Sequence, residues 1–200
     1  MSTLYLMRHA QTVFNERRLI QGSCNSALTP LGVRQAEAAG SLMGSRGMTF
    51  DRAFCSTHER ACDTLEIVTA KAYGSPMPYE RLRGLCEMDF GSFEAASSDL
   101  YDERFIDSDP DFYLAFGGES VSGVQRRMVE TLRDIASRNG GSSLVVSSSN
   151  SILLFCRAVG IDPVREGALF PNCASLVLDV LDGTFSLRDT LVPRVDQDVA

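Results

Sequence analysis

Thr3-Leu4-Tyr5-Leu6-Met7-Arg8-His9 is the stretch that decides how this chain folds. Thr3 to Met7 form a run short and apolar enough for a buried strand, and the run stops abruptly at a cation and an imidazole. In an open parallel sheet, the groups beyond the carboxyl end of a strand face the crevice where ligands bind. The question is then which other strands deliver chemistry to the same edge.

Two more runs do so. Arg52 to Ser56 reads as a second short strand, leading through Ser56 to Arg60 in the first turn of a helix. Ser56-Thr57-His58-Glu59 matches a capping box, and Ala61, Leu65, Val68 and Ala72 follow at helical spacing. Ser143 to Ser147 is a third buried strand, running into Ser148-Ser149-Asn150 and a helix from about Asn150 to Val159. Elsewhere, Thr29 caps a helix with Pro30 at its first position, where a missing N–H costs nothing. A longer helix from about Ser120 to Arg138 is marked by Val121, Val124, Met128, Leu132 and Ile135, and is stopped by Asn139-Gly140-Gly141. Ala174 to Leu181 and Thr184 to Val192, joined at Asp182-Gly183, read as a hairpin.

This alternation predicts an α/β fold: a three-layer α/β/α sandwich with a mostly parallel sheet, a cap insertion and a C-terminal hairpin. The cap is the stretch from Gly84 to Gly118, where periodicity gives way to Asp, Glu, Ser and the aromatics Phe90, Phe93, Tyr101, Phe105, Phe112, Tyr113 and Phe116. Such irregular segments are often functional lids; a merely decorative insertion is the alternative. No linker is visible, so residues 1–200 read as one domain.

Composition narrows the partners. A formal charge of −7 argues against non-specific nucleic-acid binding, which needs a basic surface, but leaves room for a local anion pocket. The apolar run at the start is too short for a secretion signal, and no run reaches the roughly 18 apolar residues of a membrane span, so a cytoplasmic location is expected. The cysteines Cys24, Cys55, Cys62, Cys86, Cys156 and Cys173 show no C-x-x-C pair and read as reduced, buried thiols; two histidines make a zinc site improbable.

If the three strands are neighbours, Arg8, His9, Arg60 and the N-termini of two helices face one crevice and would form a phosphate pocket. Taken singly, His9 is an ordinary polar loop residue and Arg60 an ordinary helix arginine. The surrounding motifs change that balance. Leu6-Met7-Arg8-His9-Ala10-Gln11-Thr12-Val13-Phe14-Asn15 resembles the R-H-G-[EQ]-[TS]-x-x-N signature that opens the histidine phosphatase (phosphoglycerate mutase-like) superfamily, with Ala10 in the place of glycine. Gln21-Gly22, Leu28-Thr29 and Gly32 through Gln35-Ala36 are similar to the segment that follows it. Ser56-x-x-x-Arg60-Ala61-x-x-Thr64 is similar to the second arginine motif, and Glu87 through Glu94 to the acidic loop. Gly117-Gly118-Glu119-Ser120 and Val145-Val146-Ser147 complete the series in the family's order.

The resemblance implies roles. His9 would attack phosphorus through one ring nitrogen while the other donates a hydrogen bond that sets the tautomer. Arg8 and Arg60 would clamp the phosphoryl oxygens, and Glu87 would protonate the leaving oxygen and later deprotonate water. Asn15, Gln21 and Ser148 are the substrate-contacting positions. No metal or nucleotide cofactor is implied, and the partner would be a small phosphorylated substrate or inorganic phosphate. Glu87-Met88-Asp89-Phe90-Gly91 stands where mutases carry an E-R-H-Y-G type segment, which points to the phosphatase branch. Arg17, Arg18, Arg81, Arg83 and Arg104 are surface residues in the first reading, with contact to an anionic substrate as the second.

One departure matters. The family's third strand runs V-V-S-H-G and its histidine contacts the transferring group; here Ser148 and Ser149 take the places of the histidine and glycine. Serine donates one hydrogen bond and carries no charge. The expectation is a phosphomonoester hydrolase acting through a phosphohistidine at His9 with weakened activity, or else a pseudoenzyme that binds a phosphorylated ligand. His58, the other histidine, would compensate only if its ring turned into the pocket.

Overall fold

A computed structural model describes residues 1–100, 109–138, 140–162 and 170–195; Tyr101, Arg104, Phe105 and Asn139 lie outside the described residues. The strands are β1 (Ser2–Arg8), β2 (Arg52–Cys55), β3 (Glu80–Arg81), β4 (Gly141–Ser147), β5 (Ser175–Leu181) and β6 (Thr184–Leu191). They form one sheet in the order β3-β2-β4-β1-β5-β6. The first four in that order are mutually parallel, and β5 and β6 are antiparallel additions at one side. The two-residue β3 has no signal in the sequence pattern. The helices are α1 (Val13–Glu16), α2 (Pro30–Ser45), α3 (Glu59–Tyr73), α4 (Val121–Ser137) and α5 (Ser149–Val159).

Strand periodicity builds the two cores. On β1, Leu4 and Leu6 join Phe54 of β2 and Val145 of β4 on the face covered by α4 and α5, through Val124, Met128, Leu132, Ile152 and Phe155. Met7 points the other way, with Ala53, Cys55, Leu144 and Val146, onto Ala36, Ala39 and Met43 of α2 and Ala61, Leu65 and Val68 of α3. Successive side chains on a strand face opposite ways, so a strand apolar at every position must be covered twice. The expected sandwich and the C-terminal hairpin are therefore both present. Among the described residues no helix is long and apolar enough to cross a membrane.

Local signals held at two helix starts. Thr29 Oγ1 accepts the Gly32 N–H at 2.9 Å, and Ser120 Oγ accepts the Gly123 N–H at 3.0 Å. The capping box expected at Ser56–Glu59 does not form. Ser56 still donates its N–H to the Val146 carbonyl at 3.0 Å, so the sheet holds it, and α3 begins at Glu59 with His58 as an N-cap lacking a side-chain bond. A capping box does appear at α1, which periodicity did not reveal: Thr12 Oγ1 accepts the Asn15 N–H, and Asn15 Oδ1 accepts the Thr12 N–H.

The 84–118 segment contains short 3₁₀ turns at Gly91–Phe93, Ser98–Leu100 and Phe112–Phe116. Its aromatics pack on one another: the Phe93 ring lies 4.9 Å from Phe116 and 5.6 Å from Tyr113, both edge-on.

Candidate active site

His9 leaves the end of β1 and is held by three distant segments. Its N–H donates to the Ser147 carbonyl at 2.9 Å, its carbonyl accepts from Asn172 Nδ2 at 2.8 Å, and the next N–H, of Ala10, donates to Thr64 Oγ1 at 3.0 Å. The residue is 4% exposed, and its Nδ1 lies 2.8 Å from the Ala10 carbonyl oxygen. A carbonyl only accepts, so Nδ1 carries the proton and Nε2 keeps its lone pair. Burial, and then the Arg60 and Arg8 charges, push the imidazole well below its ordinary range, against the pull of the Ala10 bond. The result is a neutral ring with a defined tautomer between two cations.

A cavity of about 140 Å³ opens beside it, lined by the polar Arg8, His9, Asn15, Gln21, Glu87, Ser98, Ser149 and Asn150 and the apolar Leu19, Ile20 and Phe90. Five of the expected site residues thus share one cavity. Several buried donors around it have no hydrogen-bond partner among the described residues: Arg8 Nε, Arg60 Nε, Gln21 Nε2 and Ser148 Oγ. Buried polar atoms are normally satisfied, and such a cluster of unmet donors suits an anion.

Arg60, in the first turn of α3, is fully buried and sits behind the cavity lining. Nη1 donates to the Cys24 carbonyl at 2.7 Å and Nη2 to the Gly22 carbonyl at 2.8 Å. Glu94 holds the other side of the same loop, accepting the N–H groups of Gly22, Ser23 and Cys24 and that of Phe90. Burial opposes the Glu94 charge, yet those N–H bonds together keep its carboxyl below the usual range. The loop passes so close to this carboxylate that a Cβ at Gly22 would collide with it, with the Met88 carbonyl and with the Phe90 ring.

Glu87 is 5% exposed and accepts four hydrogen bonds. Oε1 takes the Met88 N–H at 2.9 Å, the Ser151 N–H at 2.8 Å and the Ser151 hydroxyl at 2.9 Å; Oε2 takes the Asn150 N–H at 3.0 Å. The carboxylate therefore sits against the first turn of α5, where the backbone N–H groups are unpaired. Arg127 of α4 fixes the loop that carries it, donating to the carbonyls of Gly84, Cys86 and Glu87 while it pairs with Glu119 at 2.8 Å. Sequence reasoning missed Glu94, Arg127, Ser151 and Asn172, whose roles arise from contacts between segments far apart in the chain.

Comparison with known proteins decides the family. The histidine phosphatase superfamily (branch 1) matches residues 4–191, nearly the whole chain. The chain belongs to the histidine phosphatase superfamily. A 2,3-bisphosphoglycerate-dependent phosphoglycerate mutase of Rhizobium etli is 30% identical over 173 residues, covering 76% of this chain and 77% of that protein. Among solved structures, phosphoglycerate mutase from Bacillus anthracis superposes with a TM-score of 0.81 at 22% identity, covering 94% of this chain and 91% of that one. The alpha-ribazole phosphatase of Shigella flexneri gives 0.72 at 24% identity, with 99% of each chain covered. Mutases and phosphatases of the superfamily thus share this fold, and the fold alone does not choose between them.

Within this histidine phosphatase framework, Ser148 is fully buried at the N-cap of α5, and its hydroxyl caps nothing. Arg18 pairs with Asp99 and Arg81 with Glu59 at the surface, Arg17 is exposed, and Arg83 lies in a separate cleft; none lines the His9 cavity. His58 does not enter that cavity either. It lines the cleft with Arg83, Thr57, Cys86, Asp89 and Arg127, on the other side of Glu87. Its Nδ1 is buried without a partner among the described residues, and burial, then the Arg60 charge, pushes the imidazole down to about 4.

That depression has a consequence for stability. The unfolded imidazole takes a proton near pH 6.5 and the folded one only near 4, so acid favours the unfolded chain. The contribution is complete above pH 6.5 and is lost as the pH falls toward 4; His9 acts with the same sign. Between pH 7 and 4.5, the urea midpoint of His58→Gln should fall less than that of the parent. Equal falls would show that burial of neutral His58 is not a source of acid sensitivity.

Proposed function

We propose that this chain is a phosphomonoester hydrolase acting through a phosphohistidine at His9, with turnover weakened by serine at position 148. The observation that carries the reading is the commitment of the His9 Nδ1 proton to the Ala10 carbonyl, which leaves Nε2 as a nucleophile between Arg8 and Arg60. In the first step, Nε2 forms a bond to phosphorus as the ester P–O bond breaks, and Glu87 gives a proton to the leaving oxygen. In the second, water attacks phosphorus, the N–P bond breaks, Glu87 takes the water's proton, and inorganic phosphate departs. Arg8, Asn15 and Gln21 bear on the phosphoryl oxygens throughout, with the Arg60 charge behind them.

The substrate side of the cavity favours hydrolysis of a small ester over mutase chemistry. Its described lining has Arg8 as a cation and then the apolar Leu19, Ile20 and Phe90, in only about 140 Å³. Met88, where mutases resembling this chain carry arginine, is buried in the core, and Asp89 accepts the Gly91 N–H at 2.8 Å. The second reading, a module that holds a phosphorylated ligand without turnover, draws on one observation: the buried Ser148 brings no charge to the site.

Trapping separates the two. Protein incubated with a ³²P-labelled aryl phosphate and quenched should hold label that survives base and is lost in acid, as a phosphohistidine does, and His9→Ala should hold none. Acid-stable label, or label retained without His9, would overturn the nucleophile; bound phosphate with neither label nor phosphate release would favour the binding module.

A further inference from the structure

Ser151 presents an accounting problem. Its Oγ lies 2.9 Å from Glu87 Oε1 and 2.8 Å from the Cys86 carbonyl oxygen, yet a hydroxyl has one proton to donate. The carbonyl can only accept, and so can a charged carboxylate. One of the two contacts is therefore unmade at any moment, and the better acceptor takes the proton. We propose that Ser151 is a positioning residue that switches with the protonation state of Glu87. When Glu87 is charged, the Ser151 proton points to Oε1. When Oε2 carries a proton, Oε1 is a weaker, uncharged acceptor and the hydroxyl turns to the Cys86 carbonyl. No atom moves beyond a rotation about the Cβ–Oγ bond.

Two further features fit this assignment, which rests on the reading of Glu87 as the proton donor. The two carboxylate oxygens are unequal: among the described residues Oε1 has three donors and Oε2 one. Oε1 is the anchored oxygen, and Oε2 is left to exchange a proton with the substrate. The Cys86 carbonyl also accepts from Arg127 Nη1 at 2.6 Å, so it stays satisfied while Ser151 points to Glu87. The hydroxyl is thus free to serve the carboxylate whenever charge is there.

Among the described residues, the charged and titratable groups around Glu87 are Arg8 from β1, Arg60 and His58 from the start of α3, His9, Arg127 and Glu119 around α4, and Arg83, Cys86 and Asp89 in its own loop. None changes when Ser151 is replaced, so a shift on replacement reports the hydroxyl. The readout is the titration of the Glu87 side-chain carbon in protein labelled with ¹³C-carboxyl glutamate, assigned by its loss in Glu87→Gln. In Ser151→Ala the charged form loses a donor while the protonated form loses none that it needs. The midpoint should rise by roughly one pH unit, the order expected for one hydrogen bond to a charged acceptor. Ser151→Cys, close to serine in shape but a weak donor, should move it the same way, and Ser151→Thr should restore it. Unmoved midpoints in both the alanine and cysteine variants would overturn the switch and leave Ser151 as a brace for the Cys86 carbonyl. Binding of inorganic phosphate to the parent protein, followed by ³¹P resonance, is scored separately: its failure would count against the phosphatase reading and leave the midpoint comparison intact.

Discussion

Arg60→Ala should lower kcat/KM for an aryl phosphate by about 10³-fold and destabilise the chain by about 3 kcal/mol. The two losses have different origins. Arg60 brings charge to within range of His9 and has Nε unused, so its removal takes a fixed cation from the transferring group. It also ties the Gly22 and Cys24 carbonyls to α3, and without it those carbonyls and the nearby Glu87 and Glu94 charges lose their buried counterpart. Arg60→Lys separates the effects. It keeps the charge but has one nitrogen, which cannot serve two carbonyls in the geometry of a planar fork. Its activity should lie between parent and alanine, with most of the stability recovered. Steady-state kinetics with urea unfolding on the same samples would decide; activity within tenfold of the parent in Arg60→Ala would mean that Arg60 only braces the loop.

Ser148→His should raise kcat/KM by about one to two decades, less than the full value of a preorganised donor. The buried hydroxyl at 148 has no partner among the described residues, so the change sacrifices no hydrogen bond there, and an imidazole would add a cation beside the group that His9 receives. Ser149, in the lining of the cavity, is the obstacle to the larger ring, and Ser148→His with Ser149→Gly should exceed the single change because neighbouring sites couple. Both gains should vanish on a His9→Ala background, because the new histidine would assist transfer to His9 and cannot replace it. Unchanged rates in both variants, with inorganic phosphate still bound, would mean that more than position 148 separates this site from turnover.

The parts of this architecture legible in the sequence were those decided locally. Runs such as Leu4–Met7 and Leu144–Val146, apolar at every position, announce strands covered on both faces, and Thr29-Pro30 announces a helix start. The site was half legible. Arg8 and His9 follow from the end of a strand, and Arg60 from the start of a helix. Whether Arg60 reaches a cavity depends on the carbonyls of residues 22 and 24, which depend in turn on Glu94. No periodicity encodes a carboxylate accepting N–H groups some seventy positions away. The failed capping box at Ser56 has the same cause: the local pattern was right, but a bond to β4 takes priority. Between 84 and 118, packing is by aromatic edges and by Arg127 on backbone carbonyls, neither of which leaves a repeat to read.

The position of β1 has a consequence for how the protein is made. Its end is closed by Ser147 on one side and by residues 170–174 on the other: Arg8 bonds the carbonyls of Phe170 and Ala174 and accepts from Cys173, and Asn172 holds His9 from 163 positions away. His9 is thus synthesised 163 positions before the residue that holds it in place. At roughly 5–20 residues per second, that interval is on the order of ten to thirty seconds. Until β4 is made the strand bearing His9 lacks both of its neighbours, and it then still lacks β5, so an apolar edge is open to pairing with another nascent chain. Synthesis that stops short of residue 170 would yield a sheet with an unfinished side and Arg8 and His9 without these contacts, so the candidate site and the aggregation hazard are resolved by the same stretch of chain.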